Sequence, residues 1–242
     1  MSDTAVPNQF PDTRWTLVMR VGEHSEEDAG RALEELCRSY WYPLYAFGRR
    51  QGLSPDDAED ATQIFFSDLL RRKDLARIQP ELGKFRSFML AGMKNSILNG
   101  LREQRRQKRG GEVDFLSINE FQGEERFQVE GQQEGTPEEL FDRNWAMAVL
   151  AAAVARLKAE YEKAGRSDMF VELERFLPSA DKPPSYAELA EKLGLGVSAA
   201  TMTVHRMRQR FGTVLKEELR HTVSTDDDFQ DELNHFFSII GG

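Results

Sequence analysis

Three aspartates in the stretch DDAEDATQIFF, residues 56–66, have a spacing at which carboxylates can chelate a metal ion. Asp56, Asp57 and Asp60 spell Asp-Asp-x-x-Asp, and on a helix such a set can hold magnesium and, through it, a diphosphate group. The same residues also fit an acidic helix face that binds another protein and no metal. The surrounding sequence has to decide between these two interpretations.

The rest of the chain favours the protein-binding face. A chelating site needs a second acidic cluster opposite the first, and residues 227–231, DDFQD, do repeat the motif. This second motif lies in a C-terminal tail, however, and no arginine or lysine cluster beside either motif is placed to bind a diphosphate. A magnesium-dependent prenyl transferase is therefore the remote alternative, because two small helical domains do not build its deep cavity.

Composition limits the cellular compartment in which we expect the protein and the kinds of cofactor that we expect it to bind. The single cysteine, Cys37, excludes an internal disulfide and indicates a reducing cytosol. No apolar run approaches the roughly 18 residues of a membrane span, and the start MSDTAVPNQF lacks a signal-peptide pattern. The four histidines pair with no cysteine at zinc spacing. We expect a cytoplasmic protein without membrane insertion, bound metal or other cofactor.

Charge is distributed unevenly along the chain. The formal net charge of −9 argues against general nucleic-acid binding. Residues 102–109, REQRRQKR, nevertheless contain five basic residues and one acidic residue, whereas residues 112–143 contain ten acidic and two basic residues. A basic patch on one domain is thus followed by an acidic spacer.

Apolar residues recur at helical spacing almost throughout, and no strand-like alternation of useful length is present. The sequence predicts an all-α fold with helices over 27–50, 54–72, 84–107, 143–163, 167–177, 185–193 and 197–219. Residues 110–142 lack a sustained apolar face and are predicted to be a flexible acidic linker. It joins two small helical domains, at 11–109 and 143–221, and a tail at 222–242 carries a short amphipathic helix.

The stretch SYAELAEKLGLGVSAATMTVHRMRQRF, residues 185–211, predicts a helix-turn-helix motif. Ser185 and Glu188 form a capping box that begins a short helix, and a glycine turn at 194–196 precedes a longer helix. The outer side of the longer helix is polar and rich in arginine. Its predicted buried side consists of Val197, Ala200, Val204, Met207, Phe211 and Val214. An ordinary helical hairpin with a solvated charged face is the less specific alternative.

A second polar helix face lies in the first domain, on the helix that begins near Phe85. Asparagine side chains can bind base edges, and arginine and lysine can neutralise phosphates. The predicted exposed set is Lys94, Asn95, Asn99, Arg102, Arg105 and Arg106. A solvated basic helix end would have the same local pattern, so this face alone does not decide the function.

Together, three segments resemble an extracytoplasmic-function (ECF) sigma factor, a two-domain bacterial initiation factor that carries only sigma regions 2 and 4. The segments are DDAEDATQIFFSDLLRR, FRSFMLAGMKNSILNGLREQRRQKR and SYAELAEKLGLGVSAATMTVHRMRQRF, in this order, with the acidic linker before the third. The resemblance covers about 15–110 and 143–220. A narrower resemblance, to a subgroup from planctomycete-type bacteria, rests on FPDTRW and SYWYPLYAFGRRQG.

The resemblance implies a role for each face of the first domain. The acidic helix is similar to region 2.2, which docks on a coiled coil of the polymerase beta-prime subunit. The implied polymerase-facing set is Asp56, Asp57, Glu59, Asp60 and Gln63. The helix from Phe85 is similar to regions 2.3 and 2.4, which melt and read the −10 promoter element. Asn95 falls where family members hold a residue beside the flipped non-template base.

The resemblance also implies that the helix-turn-helix is region 4, which reads the −35 element and contacts the polymerase beta flap. The implied DNA-binding set is Thr201, Met202, Thr203, His205 and Arg206 in the major groove, with Arg208 and Arg210 near phosphates. Many family members carry lysine or arginine in place of Thr201 and Thr203, which implies a different −35 preference here. The loop at 178–184 is a further departure. The acidic linker would replace sigma region 3 along the RNA-exit path.

Two functions therefore compete. An alternative sigma factor has no catalysis of its own, and its partners are core RNA polymerase and promoter DNA. A free-standing helix-turn-helix regulator would use its first domain to bind a ligand or to dimerise. The resemblance leaves open whether an anti-sigma factor, a kinase or the tail at 222–242 regulates the protein. If the tail has no regulatory role, we expect it to form a short helix packed on the second domain.

Overall fold

The computed structural model is all-helical over the residues it describes, which are residue 14 and the ranges 26–71, 84–104, 123–130, 134–178 and 183–241. These ranges contain nine α-helices and no strand, so the prediction of an all-α fold is confirmed for them. In none of these helices does the sequence combine the length and hydropathy of a membrane span. In chain order the helices are α1 (Glu26–Arg50), α2 (Pro55–Arg71), α3 (Phe85–Gln104), α4 (Gly123–Glu130), α5 (Pro137–Lys163), α6 (Ser167–Glu174), α7 (Tyr186–Leu193), α8 (Val197–Arg220) and α9 (Asp226–Ile240).

The chain divides into two compact units. The first unit comprises Met1–Ala148 together with Leu219–Gly242, and the second unit comprises Val149–Glu218. The boundaries fall inside helices α5 and α8 and not in a loop. The C-terminal segment thus belongs to the unit that contains the N-terminal helices.

The core of the first unit forms where α1, α2 and α3 pack together. Leu44 and Phe47 of α1, Phe65 of α2 and Met93 of α3 are all buried. Gly92 allows α2 and α3 to approach closely, because a Cβ atom at that position would clash with the Phe65 ring. Each large apolar side chain buried here contributes about 1.5–3 kcal/mol, so this core holds the helices in place.

Helix α4 lies inside the segment predicted to be a flexible linker. The Glu124 carboxylate accepts two hydrogen bonds from the Arg49 guanidinium, both at 2.9 Å, and one from the Tyr45 hydroxyl at 2.6 Å. An eight-residue helix is too short to be stable alone, so its contacts with α1 hold it. Gly123–Glu130 is therefore a docked helix and not a flexible spacer, while 110–122 and 131–133 lie outside the described residues.

Helix α5 begins at Pro137, earlier than the predicted start at 143. The Glu139 backbone N–H donates to Thr136 Oγ1 at 3.2 Å, and the Glu139 carboxylate accepts from the Thr136 backbone N–H at 2.8 Å. This reciprocal capping box, with proline at the first helical position, begins the helix before its apolar periodicity does.

Helix α9 is the predicted short helix of the tail. Thr225 caps its N-terminus, because the Thr225 hydroxyl oxygen accepts a hydrogen bond from the Asp228 backbone N–H at 3.1 Å. Phe229 and Phe236 of α9 are buried. The contacts of α9 group it with the first unit, which corrects the expectation that it packs on the second domain.

Replacing Glu124 by glutamine should lower the free energy of unfolding of the first unit by about 1–2 kcal/mol at pH 7, because Arg49 loses its charged acceptor. Hydrogen bonds from Arg49 hold the pKa of Glu124 at about 2, below its ordinary 4.5. The stabilising contribution is therefore complete above pH 4.5 and is lost as the pH falls towards 2. Urea unfolding at pH 7 and pH 3 measures the effect, and the gap between wild type and variant should shrink at pH 3.

The matched control for this prediction is Glu125→Gln, because Glu125 is the adjacent residue of α4 and its side chain is exposed. It should leave the free energy of unfolding within about 0.5 kcal/mol of wild type. An equal loss in both variants would contradict a specific role of the Glu124–Arg49 pair.

Candidate nucleic-acid interface

Helix α2 presents a row of acidic residues to solvent, called here the acidic stripe. Asp56, Asp60 and Asp68 are exposed, and Ile64, one turn after Asp60, is 54% exposed. Residues spaced by four lie on one face of a helix. The buried face of α2 consists of Ala58, Thr62, Phe65, Phe66 and Leu69. The stripe is an anionic surface with an apolar centre, a composition that suits docking of a protein partner.

The other three residues predicted on this face have partners in or beside α2. The Ser54 hydroxyl donates to the Asp57 carboxylate at 2.6 Å, and the Asp57 backbone N–H donates to Ser54 Oγ at 3.1 Å. Glu59 accepts a hydrogen bond from Gln63 Nε2 at 3.1 Å. Asp57, Glu59 and Gln63 are half-buried. Of the predicted set, the two residues on the acidic stripe remain directed to solvent.

Helix α3 exposes two of the predicted amide side chains, called here the amide face. Asn95 and Asn99 are exposed one turn apart, and Leu98 beside them is 54% exposed. Lys94 is half-buried, and its Nζ lies 2.7 Å from the Glu138 carboxylate. The charge of Lys94 is therefore paired within the first unit, whereas the two amides can both donate to and accept from a base edge.

Three predicted residues of this helix, Arg102, Arg105 and Arg106, lie outside the described side chains. The opposite side of α3 packs into the first unit. Met89, Met93 and Ile97 are buried, and Phe88 is half-buried. The amide face is thus backed by a firmly packed helix.

The two helices and the turn predicted at 185–211 are present in the second unit as α7, the 194–196 turn and α8. Ser185 Oγ accepts from the Glu188 backbone N–H at 3.2 Å, and the Glu188 carboxylate accepts from the Ser185 backbone N–H at 3.0 Å. Gly194 has a φ of 63°, the left-handed conformation that favours glycine. Local sequence therefore determines both the start of α7 and its exit into the turn.

The outer face of α8 carries most of the residues predicted to read DNA. Thr201, Met202, His205 and Arg206 are exposed, and Thr203 is half-buried. The hydroxyls of the two threonines donate to carbonyl oxygens one turn earlier, at 2.9 and 2.8 Å. A hydroxyl bonded in this way still presents its oxygen as an acceptor towards a base edge.

The inner side of α8 packs against the core of the second unit. Ala200, Val204, Met207, Phe211 and Val214 are buried, as the sequence predicts. Val197, predicted on the same side, is instead 52% exposed, because it is the first residue of the helix, next to the turn.

The two remaining arginines of the predicted set are engaged within the second unit. Arg208 Nε donates to a backbone carbonyl oxygen at 2.9 Å. Arg210 donates to both oxygens of Glu160, at 2.8 and 2.5 Å, and lies 3.5 Å from Glu217. The hydrogen bonds between Arg210 and Glu160 raise the pKa of the arginine and lower that of the carboxyl. Arg206, by contrast, forms no ion pair with any residue that the structure describes.

The two Asp-Asp-x-x-Asp motifs contribute carboxylates to helix caps. Asp57 belongs to the cap of α2, and Asp228 of the second motif accepts from the Thr225 hydroxyl at 2.7 Å. Asp231, the last residue of the second motif, lies 3.4 Å from Lys84 Nζ. Among the described side chains, no group of three or more histidine, cysteine, aspartate or glutamate residues is placed to bind a metal ion.

The predicted site residues whose described side chains remain exposed lie on three surfaces. The acidic stripe and the amide face belong to the first unit, and the outer face of α8 belongs to the second. Comparison of the chain with protein-family models, with curated proteins and with solved structures found no match. What these surfaces bind is therefore inferred from their own side chains.

Sequence reasoning missed the internal partners of Lys94 and Arg210. The acceptor of Arg210 is 50 residues away, and Glu138 is 44 residues from Lys94, so no local spacing identifies either pair. The exposed apolar residues were detectable, because Ile64 follows Asp60 by one helical turn and Leu98 precedes Asn99 directly. Their exposure follows from helical geometry alone.

Replacing Arg210 by glutamine should lower the free energy of unfolding of the second unit by about 1 kcal/mol, because Glu160 loses a bidentate partner at a partly exposed site. Arg206→Gln makes the same change on the exposed face of the same helix and should stay within about 0.5 kcal/mol of wild type. Urea unfolding measures both. A larger loss for Arg206→Gln than for Arg210→Gln would show that the distinction between exposed and internal arginines is wrong.

Proposed function

We propose that this protein is an alternative sigma factor of the ECF kind, which binds core RNA polymerase and directs initiation at specific promoters. The proposal makes it a cytoplasmic protein without catalysis or cofactor. It is supported chiefly by one combination: an acidic stripe and an exposed amide face in one helical unit, and a helix-turn-helix arrangement in the other. A protein that only bound duplex DNA would need the last of these alone.

The acidic stripe supports docking on polymerase. Asp56 and Asp60 are exposed, and Ile64 presents apolar surface one turn further along. Charged residues at the rim of an interface steer a partner of opposite charge, while an apolar residue at its centre contributes affinity once water is excluded. The proposed partner is the coiled coil of the beta-prime subunit. Asp57, which is hydrogen-bonded to Ser54 at the N-terminus of α2, would then act by holding the stripe in place.

The amide face supports reading of a single DNA strand at the −10 element. An amide donates and accepts in one plane, which suits the edge of a base taken out of the stack. Asn95 and Asn99 are exposed for this contact, and Leu98 offers apolar surface to a base or sugar. In the proposal, Arg102, Arg105 and Arg106 supply positive charge for the phosphates of the strand.

The outer face of α8 supports reading of the −35 element. Thr201, Met202, His205 and Arg206 lie in its N-terminal half, the part of a recognition helix that contacts base edges in the major groove. Arg206 is suited to a bidentate contact with guanine, and the threonine and methionine to neutral contacts. Contact with the polymerase beta flap would bring this face to its promoter.

The distribution of positive charge supports DNA binding that depends on polymerase. Arg210 is paired with Glu160, Lys94 is paired with Glu138, and the net charge of the chain is −9. Phosphate neutralisation supplies most non-specific DNA affinity, so the protein alone is expected to bind duplex DNA weakly. A subunit that polymerase delivers to the promoter has no need of a uniformly basic surface.

The second candidate is a free-standing helix-turn-helix regulator, which the α7–turn–α8 arrangement alone would support. Such a regulator has to bind duplex DNA tightly without polymerase. It also leaves the acidic stripe and the amide face without a role. In the proposal, regulation of the sigma factor falls to an anti-sigma factor or a kinase as a further partner.

Run-off transcription with sigma-free core polymerase tests the proposal, with the DNA upstream of the protein's own gene as template. Wild type should yield a promoter-dependent transcript. Asp56→Lys/Asp60→Lys should reduce the transcript about tenfold or more, because the reversed charges oppose docking. The affinity for core polymerase, measured in parallel, should fall with the transcript.

The matched control is Glu125→Lys/Glu134→Lys, which changes the net charge equally at two exposed residues outside the acidic stripe. It should transcribe like wild type. An equal loss in both double variants would remove the specific role of the stripe. Absence of any wild-type transcript, together with tight binding of duplex DNA, would favour the free-standing regulator.

A further inference from the structure

A buried ion-pair cluster joins three segments of the first unit that are far apart in the sequence. Arg86 lies in the first turn of α3, Asp142 near the start of α5 and Glu232 in α9. The Arg86 side chain is 12% exposed and that of Glu232 is 0% exposed. Charges buried this deeply are costly unless partners of well-defined geometry match them.

The Arg86 guanidinium is matched on three of its nitrogens. Nε and Nη2 donate to the two carboxylate oxygens of Glu232 at 3.0 and 3.2 Å, and Nη1 donates to Asp142 Oδ1 at 2.5 Å. The second oxygen of Asp142 is 3.0 Å from His235 Nε2. Burial opposes the charge of Arg86, but Glu232 and Asp142 outweigh it, so the pKa of Arg86 is raised. A bidentate pair of this kind determines orientation as well as distance.

Backbone contacts hold the same end of α3. The Phe85 backbone N–H donates to the Thr222 carbonyl oxygen at 2.9 Å, and Lys84 and Val223 form an isolated antiparallel bridge. Lys84 Nζ also lies 3.4 Å from Asp231. The segment that leads into α9, and α9 itself, therefore contact the first residues of α3 through main chain and side chains together.

Apolar packing makes α9 part of the core of the first unit. The Trp145 ring is fully buried, with the Arg86 guanidinium 5.0 Å from its centre. Phe236 of α9 packs edge-on against this ring, with ring centres 6.0 Å apart. Without α9, Arg86 would retain only Asp142, and Trp145 would lose this neighbour. The helix is thus not an appendage on the surface of the unit.

We infer that Glu232 is a positioning residue for the amide face of α3, acting through Arg86. The inference rests on the proposed function, in which the amide face reads a single DNA strand. Asn95 follows Arg86 by nine residues, or about 13–14 Å along the helix axis. A tilt of about 5° at the first turn of α3 therefore moves Asn95 by about 1 Å.

The same contacts assign α9 a role opposite to that of an inhibitory tail. An inhibitory segment covers an active face, and its removal raises activity. Asn95 and Asn99 stay exposed while α9 contacts the opposite end of their helix. Loss of the α9 contacts therefore lowers recognition of the −10 strand.

The test compares Glu232→Gln with Asp227→Asn in the full chain bound to core polymerase. Both variants remove one negative charge from α9, but the Asp227 side chain is exposed. Affinities for core polymerase, for a single-stranded −10 oligonucleotide and for a −35 duplex are measured below the melting temperature. Glu232→Gln should weaken binding of the −10 oligonucleotide about tenfold and leave the other two affinities within about twofold. Asp227→Asn should change none of them.

Asn95→Ala provides the reference for direct loss of the amide face. Adding Glu232→Gln to Asn95→Ala should weaken −10 binding less than Glu232→Gln does in the wild-type background, because the positioned side chain is already gone. Additive losses would overturn the inference. So would equal weakening of all three affinities by Glu232→Gln, since a merely structural role predicts that result.

If Glu232→Gln does not fold, Glu232→Asp keeps the charge, shortens the side chain and takes the same place in the comparison. A wild-type protein that directs no promoter-dependent transcript would refute the proposed function. A transcribing wild type with unchanged −10 binding in the Glu232 variant would refute the positioning role alone.

Discussion

Burying the Arg86 guanidinium obliges the first unit to bring two carboxylates against it. Neither is local, since Asp142 and Glu232 are 56 and 146 residues away along the chain. Apolar burial supplies most of the stability of such a unit, but it is non-directional and leaves the arrangement of helices loosely specified. The ion-pair cluster specifies that arrangement: the start of α3, the start of α5 and the middle of α9 have to meet at one point.

Much of the fold was predictable wherever the deciding contacts are local. The start of α7 follows from the Ser185–Glu188 capping box and its end from Gly194, whose conformation the sequence anticipates. Helix α4 was not predicted because its eight residues carry no sustained apolar stripe. Its docking also depends on Arg49, which belongs to another helix. The place of α9 in the first unit was also not predictable, because its amphipathic pattern does not indicate which unit it packs against.

The same distinction between local and long-range contacts applies to the candidate site. The exposure of Asn95 and Arg206 follows from helical spacing, which the sequence contains. The internal pairing of Lys94 and Arg210 does not follow from helical spacing. A long charged side chain pairs with whichever acidic residue the tertiary structure places near it. A sequence count of basic residues therefore overestimates the positive charge that these faces present to solvent.

The return of Leu219–Gly242 to the first unit has a consequence for the order in which the protein folds during its synthesis. Domains usually fold from the N-terminus as they leave the ribosome. Here all of Val149–Glu218 is synthesised before Glu232, so the chain of the second unit is complete while Arg86 still lacks its bidentate partner. The first unit, whose N-terminal helices are synthesised first, is thus the last to have its complete chain. Until then its nascent chain exposes an unmatched guanidinium and part of the Trp145 surface to chaperones and proteases.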